Sequence, residues 1–210
     1  MTDPLPFNPL DKRNLAASVG EALLEKAPVQ LGTLDSFAGA GIYSIYYVGE
    51  FDAYRQLSDE NRNQFWKSPI YVGKAIPLGG RKGGEQSILS ESRSLRLRLK
   101  EHADSIRAVR NLNLEDFWCR YLIVDDIWIP LGENLMISKF SPLWNVIVDG
   151  FGNHTPGAGR FNQMRSRWDV LHPGREWAAK CKERPEHPDT IKAEVQAHLR
   201  ARAKITTNLF

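Results

Sequence analysis

The sequence predicts an α/β fold, and three observations carry that expectation. Segments around 40–48, 69–73 and 117–129 are rich in β-branched and aromatic residues and read as strands. Between and around them, apolar residues recur at helical spacing, most clearly from Ser90 to Leu112. The 210 residues are 42% hydrophobic and 25% charged, a composition that buries a core rather than staying unfolded.

At the N-terminus, Asn8 offers a capping side chain and Pro9 suits the first helical position. Leu15, Val19 and Leu23 continue at helical spacing, which predicts a helix of about four turns ending near Pro28. Its apolar stripe serves either the core or a dimer arm. From Ala40 the pattern changes to Ile42, Tyr43, Ile45, Tyr46, Tyr47 and Val48, a strand bounded by Gly39, Gly41 and Gly49. The polar stretch 50–68 carries Phe51, Tyr54, Leu57 and Phe65 and exceeds a hairpin turn, so it reads as a helical insertion before the second strand at 69–73. The following IPLGGRKGGEQS lacks the GxxxxGK[ST] spacing of a phosphate loop. It reads equally as a loop touching nucleic-acid backbone or as a plain connector.

Leu95, Leu99, Ile106 and Val109 then place an amphipathic helix with an arginine-rich face, on which Arg98 and His102 lie four residues apart. FWCRYLIVDDIWI, 117–129, is the third strand candidate. Gly132 permits a turn into a helix that starts near Glu133 and stops before Pro142. These elements sum to a single domain over 1–210. It has an N-terminal helical extension (1–38), a core (39–149, insertion 50–68) and a basic C-terminal extension (150–210).

No apolar run approaches the roughly 20 residues that span a bilayer, and MTDPLPFNPL lacks the basic and apolar regions of a secretory signal. A cytoplasmic protein is expected. Cys119 and Cys181 lie far apart without a CxxC, so neither a disulfide framework nor a zinc cluster is signalled, and both read as buried thiols. The net charge is +3, unevenly spread: 8 basic and 4 acidic residues in 81–110, 2 and 6 in 111–150, 11 and 6 in 151–210. Two basic blocks around an acidic one suit phosphates gripped at the edges and a metal-binding carboxylate between them. Solvated charged helices give the same pattern.

Phosphodiester hydrolysis needs a base for water, a cation against the phosphoryl oxygens, an electrophile at the leaving oxygen and in-line positioning. Tyr43 could be the base if His102, Lys74 or a metal-bound water network favours its phenolate. Arg98 can clamp phosphate through two parallel hydrogen bonds. Glu133 can hold one Mg²⁺ that keeps most of its waters. Taken singly, each residue has an ordinary reading: core tyrosines, surface Arg98 and Glu133, a structural His102, a turn or cap at Asn145. Their order along the chain favours the catalytic one.

That order, GIY at 41–43, YVG at 71–73, LRLRLKEH at 95–102, ENLMI at 133–137 and PLWN at 142–145, resembles the GIY-YIG nuclease superfamily. The resemblance implies a layered α/β core with a three-stranded, mainly antiparallel sheet flanked by helices. It implies that Tyr43 assists water activation with Tyr71 in the site, that Arg98 contacts the phosphate, that Glu133 holds Mg²⁺ and that Asn145 supports the site. Products would carry a 5′-phosphate and a 3′-hydroxyl, and Mn²⁺ is a possible substitute metal. The gap between Tyr43 and Tyr71 is longer than in many members. Long inserts, an added N-terminal helix and a basic extension look most like the stand-alone type II restriction endonucleases that cut CCGCGG.

Such an enzyme must read bases, for which Arg to guanine is the commonest specific contact. Arg81, Lys82 and Arg93 near the glycine-rich loop, and Arg160, Arg165 and Arg167 in the 152–168 segment, are the DNA-binding candidates. Meeting phosphates or the protein's own acidic surface is the alternative for these arginines. A two-fold symmetric site in double-stranded DNA calls for a homodimer, and a restriction system implies a cognate methyltransferase without a stable complex. Two other functions fit the sequence: a structure-specific or nicking nuclease, and a DNA-binding module whose nuclease site has decayed.

Overall fold

The computed structural model describes residues 8, 10–77, 92–153 and 160–207. In chain order the elements are α1 (Lys12–Leu24), β1 (Val29–Gln30), β2 (Gly41–Tyr47), α2 (Arg55–Asn61), β3 (Tyr71–Ala75), α3 (Ser94–Ala108), β4 (Phe117–Ile123), α4 (Ile129–Phe140), α5 (Leu143–Val146), α6 (Arg167–Leu171) and α7 (Pro188–Thr207), with short 3₁₀ turns between them. The strands form one antiparallel sheet in the order β1-β4-β2-β3. The expected small antiparallel sheet is present with four strands rather than three. The addition is β1, whose two residues are too short to display any period.

β2 is central and buried along its whole length. Its alternating side chains build both layers of the core, as strand geometry requires. Tyr43, Ile45 and Tyr47 face a large cluster that includes Leu99 and Ile106 of α3, Trp144 of α5, Trp168 of α6 and Val195 of α7. Ile42, with Val72 of β3, faces Leu23 of α1 and Ile129 and Met136 of α4.

Two helix starts differ from expectation. α1 begins behind Asp11, whose carboxylate accepts from the Arg13 N–H at 2.8 Å, rather than behind Asn8; Pro9 lies outside the described residues. A carboxylate at the N-cap outcompetes the upstream amide because it also meets the positive end of the helix dipole. α4 begins at Ile129 with proline in its first turn, so Gly132 sits inside the helix instead of turning the chain into it. A Cβ at Gly132 would lie 2.7 Å from Val19 Cγ1 and 3.0 Å from Ile42 Cδ1. Glycine is there so that α1 and α4 can close over the sheet.

The insertion folds back on the C-terminal helix. Gln56 Nε2 donates to the Leu199 carbonyl at 2.9 Å, and Arg202 pairs with Glu60 at 2.6 Å. Asn61 ties the two ends of the insertion together: its Nδ2 donates to Tyr47 O (3.1 Å) and Ser68 O (2.8 Å), and its Oδ1 accepts from Ser68 N–H (2.9 Å). β3 is thereby returned beside β2 with Tyr43 opposite Gly73. Both cysteines are buried, and burial pushes the Cys119 thiol up to about 12. No helix among the described residues is long and apolar enough to cross a membrane.

A polar chain runs from the exposed Asn111 into the larger core cluster. Asn111 Nδ2 donates to Leu171 O (2.9 Å), which leaves its Oδ1 facing His172 Nδ1 at 3.0 Å. His172 therefore donates from Nδ1, and its Nε2 accepts from the Tyr54 hydroxyl at 2.6 Å, which in turn accepts from Trp144 Nε1–H at 2.9 Å. Burial, with Arg175 nearby, pushes His172 down to about 3. Between that value and the ordinary 6.5 the unfolded chain binds the extra proton. Stability contributed by neutral His172 is present above pH 6.5 and is lost as pH falls toward 3, on the order of 1 kcal/mol per pH unit. Urea midpoints measured from pH 7 to pH 4 are expected to fall accordingly.

Candidate active site

Tyr43 and Tyr71 come from adjacent strands, and Arg98 and His102 from successive turns of α3, which packs on the same face of the sheet. The Tyr43 hydroxyl lies 2.6 Å from His102 Nε2. The Arg98 charge acts on this hydroxyl from one turn earlier and favours its ionised form. In the tautomer with Nε2 unprotonated, the imidazole accepts a hydrogen bond from the phenol. Tyr71 completes the group, its ring centroid 6.3 Å from that of Tyr43 and 5.2 Å from that of His102.

The close seating of Tyr43 explains the glycine of the second motif. Gly73 is its cross-strand partner, and a Cβ there would lie 2.6 Å from Tyr43 Cζ and 3.0 Å from Tyr71 Cε1. Gly152 plays the same part on the other side, where a Cβ would lie 2.8 Å from Tyr71 Oη and 3.1 Å from Arg98 Nη2. Its carbonyl accepts from Arg98 Nη2 at 2.8 Å, and Glu101 pairs with Arg98 Nη1 at 3.1 Å. The Phe151 ring stacks on His102 at 4.5 Å. Phe151 and the Gly152 carbonyl carried no sequence signal, because both belong to a turn joined to α3 only in three dimensions.

Glu133 and Lys74 stand across the edge strand from the tyrosines. Lys74 points to the same face as Val72, and its Nζ lies 2.6 Å from Glu133 Oε2. Lys74 is thus engaged with Glu133. The Glu133 charge still acts on both phenols and raises their pKa values. Burial is the largest cause for Tyr43, which is raised well above its ordinary value; Tyr71 adds to the rise and Arg98 opposes it. Burial also leads for Tyr71. Both are neutral phenols at physiological pH. No group of three or more His, Cys, Asp or Glu among the described residues is placed to hold a metal. A partly exposed single carboxylate such as Glu133 nonetheless fits Mg²⁺, which commonly takes one or two carboxylates and keeps its waters.

Asn145 braces the edge. Its Oδ1 accepts from Val72 N–H and its Nδ2 donates to Val72 O, both at 2.8 Å, while Trp144 N–H donates to Ile70 O at 2.9 Å. The start of α5 therefore satisfies the outward-facing backbone of the strand that carries Tyr71 and Gly73, as edge strands require.

Among the DNA-binding candidates, Arg93 is exposed just before α3. Arg165 donates to Ala178 O at 3.1 Å and Ala179 O at 3.4 Å. Arg167 donates to Ile147 O at 2.8 Å, faces Glu186 at 3.3 Å and pairs with Glu194. These two arginines meet the protein's own carbonyls and acids. Arg81, Lys82 and the side chain of Arg160 lie outside the described residues. Asn145→Ala is expected to cost about 1–3 kcal/mol through the unpaired Val72 backbone. Gly73→Ala is expected to cost a similar amount by displacing Tyr43. Each kcal/mol lowers Tm by roughly 2–4 °C, readable in a thermal melt.

No curated protein matches the chain significantly. The family model described as the Eco29kI GIY-YIG domain matches residues 35–199, which includes β2 through α6, every side chain of the cluster around Tyr43, and most of α7. That family is one of type II restriction endonucleases, whose substrate is DNA and which generally use a divalent metal ion. The chain belongs to the Eco29kI family of GIY-YIG restriction endonucleases and is a site-specific deoxyribonuclease.

Proposed function

We propose that the protein cuts double-stranded DNA at a palindromic, GC-rich site as a Mg²⁺-dependent homodimer, leaving 5′-phosphate and 3′-hydroxyl ends. It would work in the cytoplasm, beside a cognate methyltransferase that it does not stably bind, with residues 1–210 acting as one endonuclease unit. The observation that carries this reading is the Tyr43 hydroxyl set between Arg98 and His102 Nε2 at 2.6 Å. This arrangement supports a proton relay. Tyr43 passes its proton to His102 Nε2 as it takes one from the attacking water, so the phenolate that burial disfavours never has to persist. Arg98 offers its guanidinium to a phosphoryl oxygen, and Tyr71 steadies both Arg98 and Tyr43.

Glu133 would hold the metal, Lys74 would aim that carboxylate, and Asn145 would fix the edge strand between the two halves of the site. Mg²⁺, or Mn²⁺ in its place, would supply charge stabilisation at the phosphoryl and leaving oxygens. Arg81, Lys82, Arg93 and Arg160 are proposed to contact DNA. Arg165 and Arg167 would act there only by giving up their present carbonyl and carboxylate partners.

Incubation of plasmid with the protein and Mg²⁺ is expected to give discrete fragments whose sequenced ends share one two-fold symmetric site. Random nicks, or fragments without a common sequence, would count against a restriction specificity. Glu133→Gln is expected to keep DNA binding and lose at least about 100-fold in cleavage. Undiminished cutting by this variant would remove Glu133 from the metal site.

A further inference from the structure

Arg175 and Asp169 lie in the basic C-terminal extension, outside the motifs, and their side chains are only 3% and 2% exposed. Asp169 receives the guanidinium as a fork, with Nε to Oδ1 at 2.7 Å and Nη2 to Oδ2 at 2.8 Å. The remaining donors all reach one turn: Nη2 donates to Gly150 O at 2.9 Å, and Nη1 to Phe151 O at 3.2 Å and Asn153 O at 3.1 Å. All five N–H groups of the guanidinium are thereby used. Its plane is held between the rings of Trp168 and Trp177, 4.4 and 4.7 Å from their centroids. Ser166 fixes the carboxylate in turn, donating from Oγ to Asp169 Oδ2 at 2.7 Å.

The turn so gripped is the one that touches the site. Gly152 O accepts from Arg98 Nη2 at 2.8 Å, and Phe151 stacks on His102. A buried ion pair is weak evidence for stability, since desolvation cancels much of its Coulombic gain. What this pair uniquely supplies is the placement of three carbonyls. We infer that Arg175, held by Asp169, is a positioning residue for catalysis: it sets the 150–153 turn and through it the guanidinium of Arg98 and the imidazole of His102. The inference rests on the roles proposed above for Arg98 and His102. A displacement of about 1 Å at such groups costs on the order of 100-fold in rate.

The test uses the full chain on duplex DNA carrying its site, with single-turnover cleavage in Mg²⁺, DNA affinity without divalent metal, and a thermal melt. Arg175→Lys keeps the charge opposite Asp169 but cannot reach all three carbonyls. It is expected to cleave about 10–100-fold more slowly at a DNA affinity within about twofold of the parent, while remaining folded at the assay temperature. Combined with Arg98→Lys, it should slow cleavage by less than the product of the two single losses, because part of its effect runs through the Arg98 guanidinium. Multiplying rate losses, or an Arg175→Lys rate within about threefold of the parent, would overturn the inference. Should Arg175→Lys not fold, Asp169→Leu with Arg175→Met replaces the pair by apolar bulk, which buried pairs often tolerate. Slow cleavage by that folded variant supports the inference and parental cleavage overturns it. A parental protein that does not cut DNA under any metal condition instead overturns the function proposed above.

Discussion

Everything in the site depends on a close approach across the β2–β3 ladder. Tyr43 sits opposite Gly73, and the absence of a Cβ there allows the phenol to lie against the neighbouring strand. Only from that seat does its hydroxyl reach His102 Nε2 on α3 while the Arg98 charge acts on it from one turn earlier. The strand pairing sets where the oxygen is, and the helix sets what it touches. The paired motifs are therefore a packing requirement: a tyrosine on one strand and, on the next, a glycine to make room for it.

The surrounding structure holds this approach in place from three directions. Asn145 occupies the exposed edge of β3 as a substitute strand, which keeps Tyr71 and Gly73 in register. Asn61 joins the ends of the insertion, so a long excursion between β2 and β3 does not loosen their pairing. The 150–153 turn, gripped by Arg175, closes over Arg98 and His102 from the far side. Glu133 approaches across the edge strand from the opposite layer, where Gly132 lets α4 and α1 close over the sheet. The cluster around Tyr43 and the Lys74–Glu133 pair are thus built by different layers and meet at one strand.

Much of this was legible in the sequence, and the parts that were not share a physical cause. The helical period around Leu95, Leu99 and Ile106 and the β-branched run at 40–48 identify their elements, because burial of one face imposes a regular pattern; the strand expected over 117–129 ends at Ile123, and Ile129, the last residue of that stretch, begins α4. The order of Tyr43, Tyr71, Arg98, His102, Glu133 and Asn145 announced a cluster, and the fold brings the first four into contact on one layer. Contacts remote in sequence left no pattern. Gly132 reads as a turn until Val19 and Ile42 are seen against it. For Arg165 and Arg167 the sequence left DNA and the protein's own acidic surface both open, and only the fold displays their carbonyl and carboxylate partners. Arg175 has no local signature because the carbonyls of Gly150, Phe151 and Asn153 that it holds are distant in sequence.

The most direct measurement is the single-turnover cleavage rate of Tyr43→Phe, taken alongside its DNA affinity and its melting temperature. The substitution keeps the ring that packs against Gly73 and removes only the oxygen on which Arg98 and His102 act. Loss of about 10²–10⁴-fold in rate at near-parental affinity and a retained fold is the result expected for a phenol that moves the proton of the attacking water. A rate within a few-fold of the parent would contradict it, leaving Tyr43 a packing residue and moving the base elsewhere.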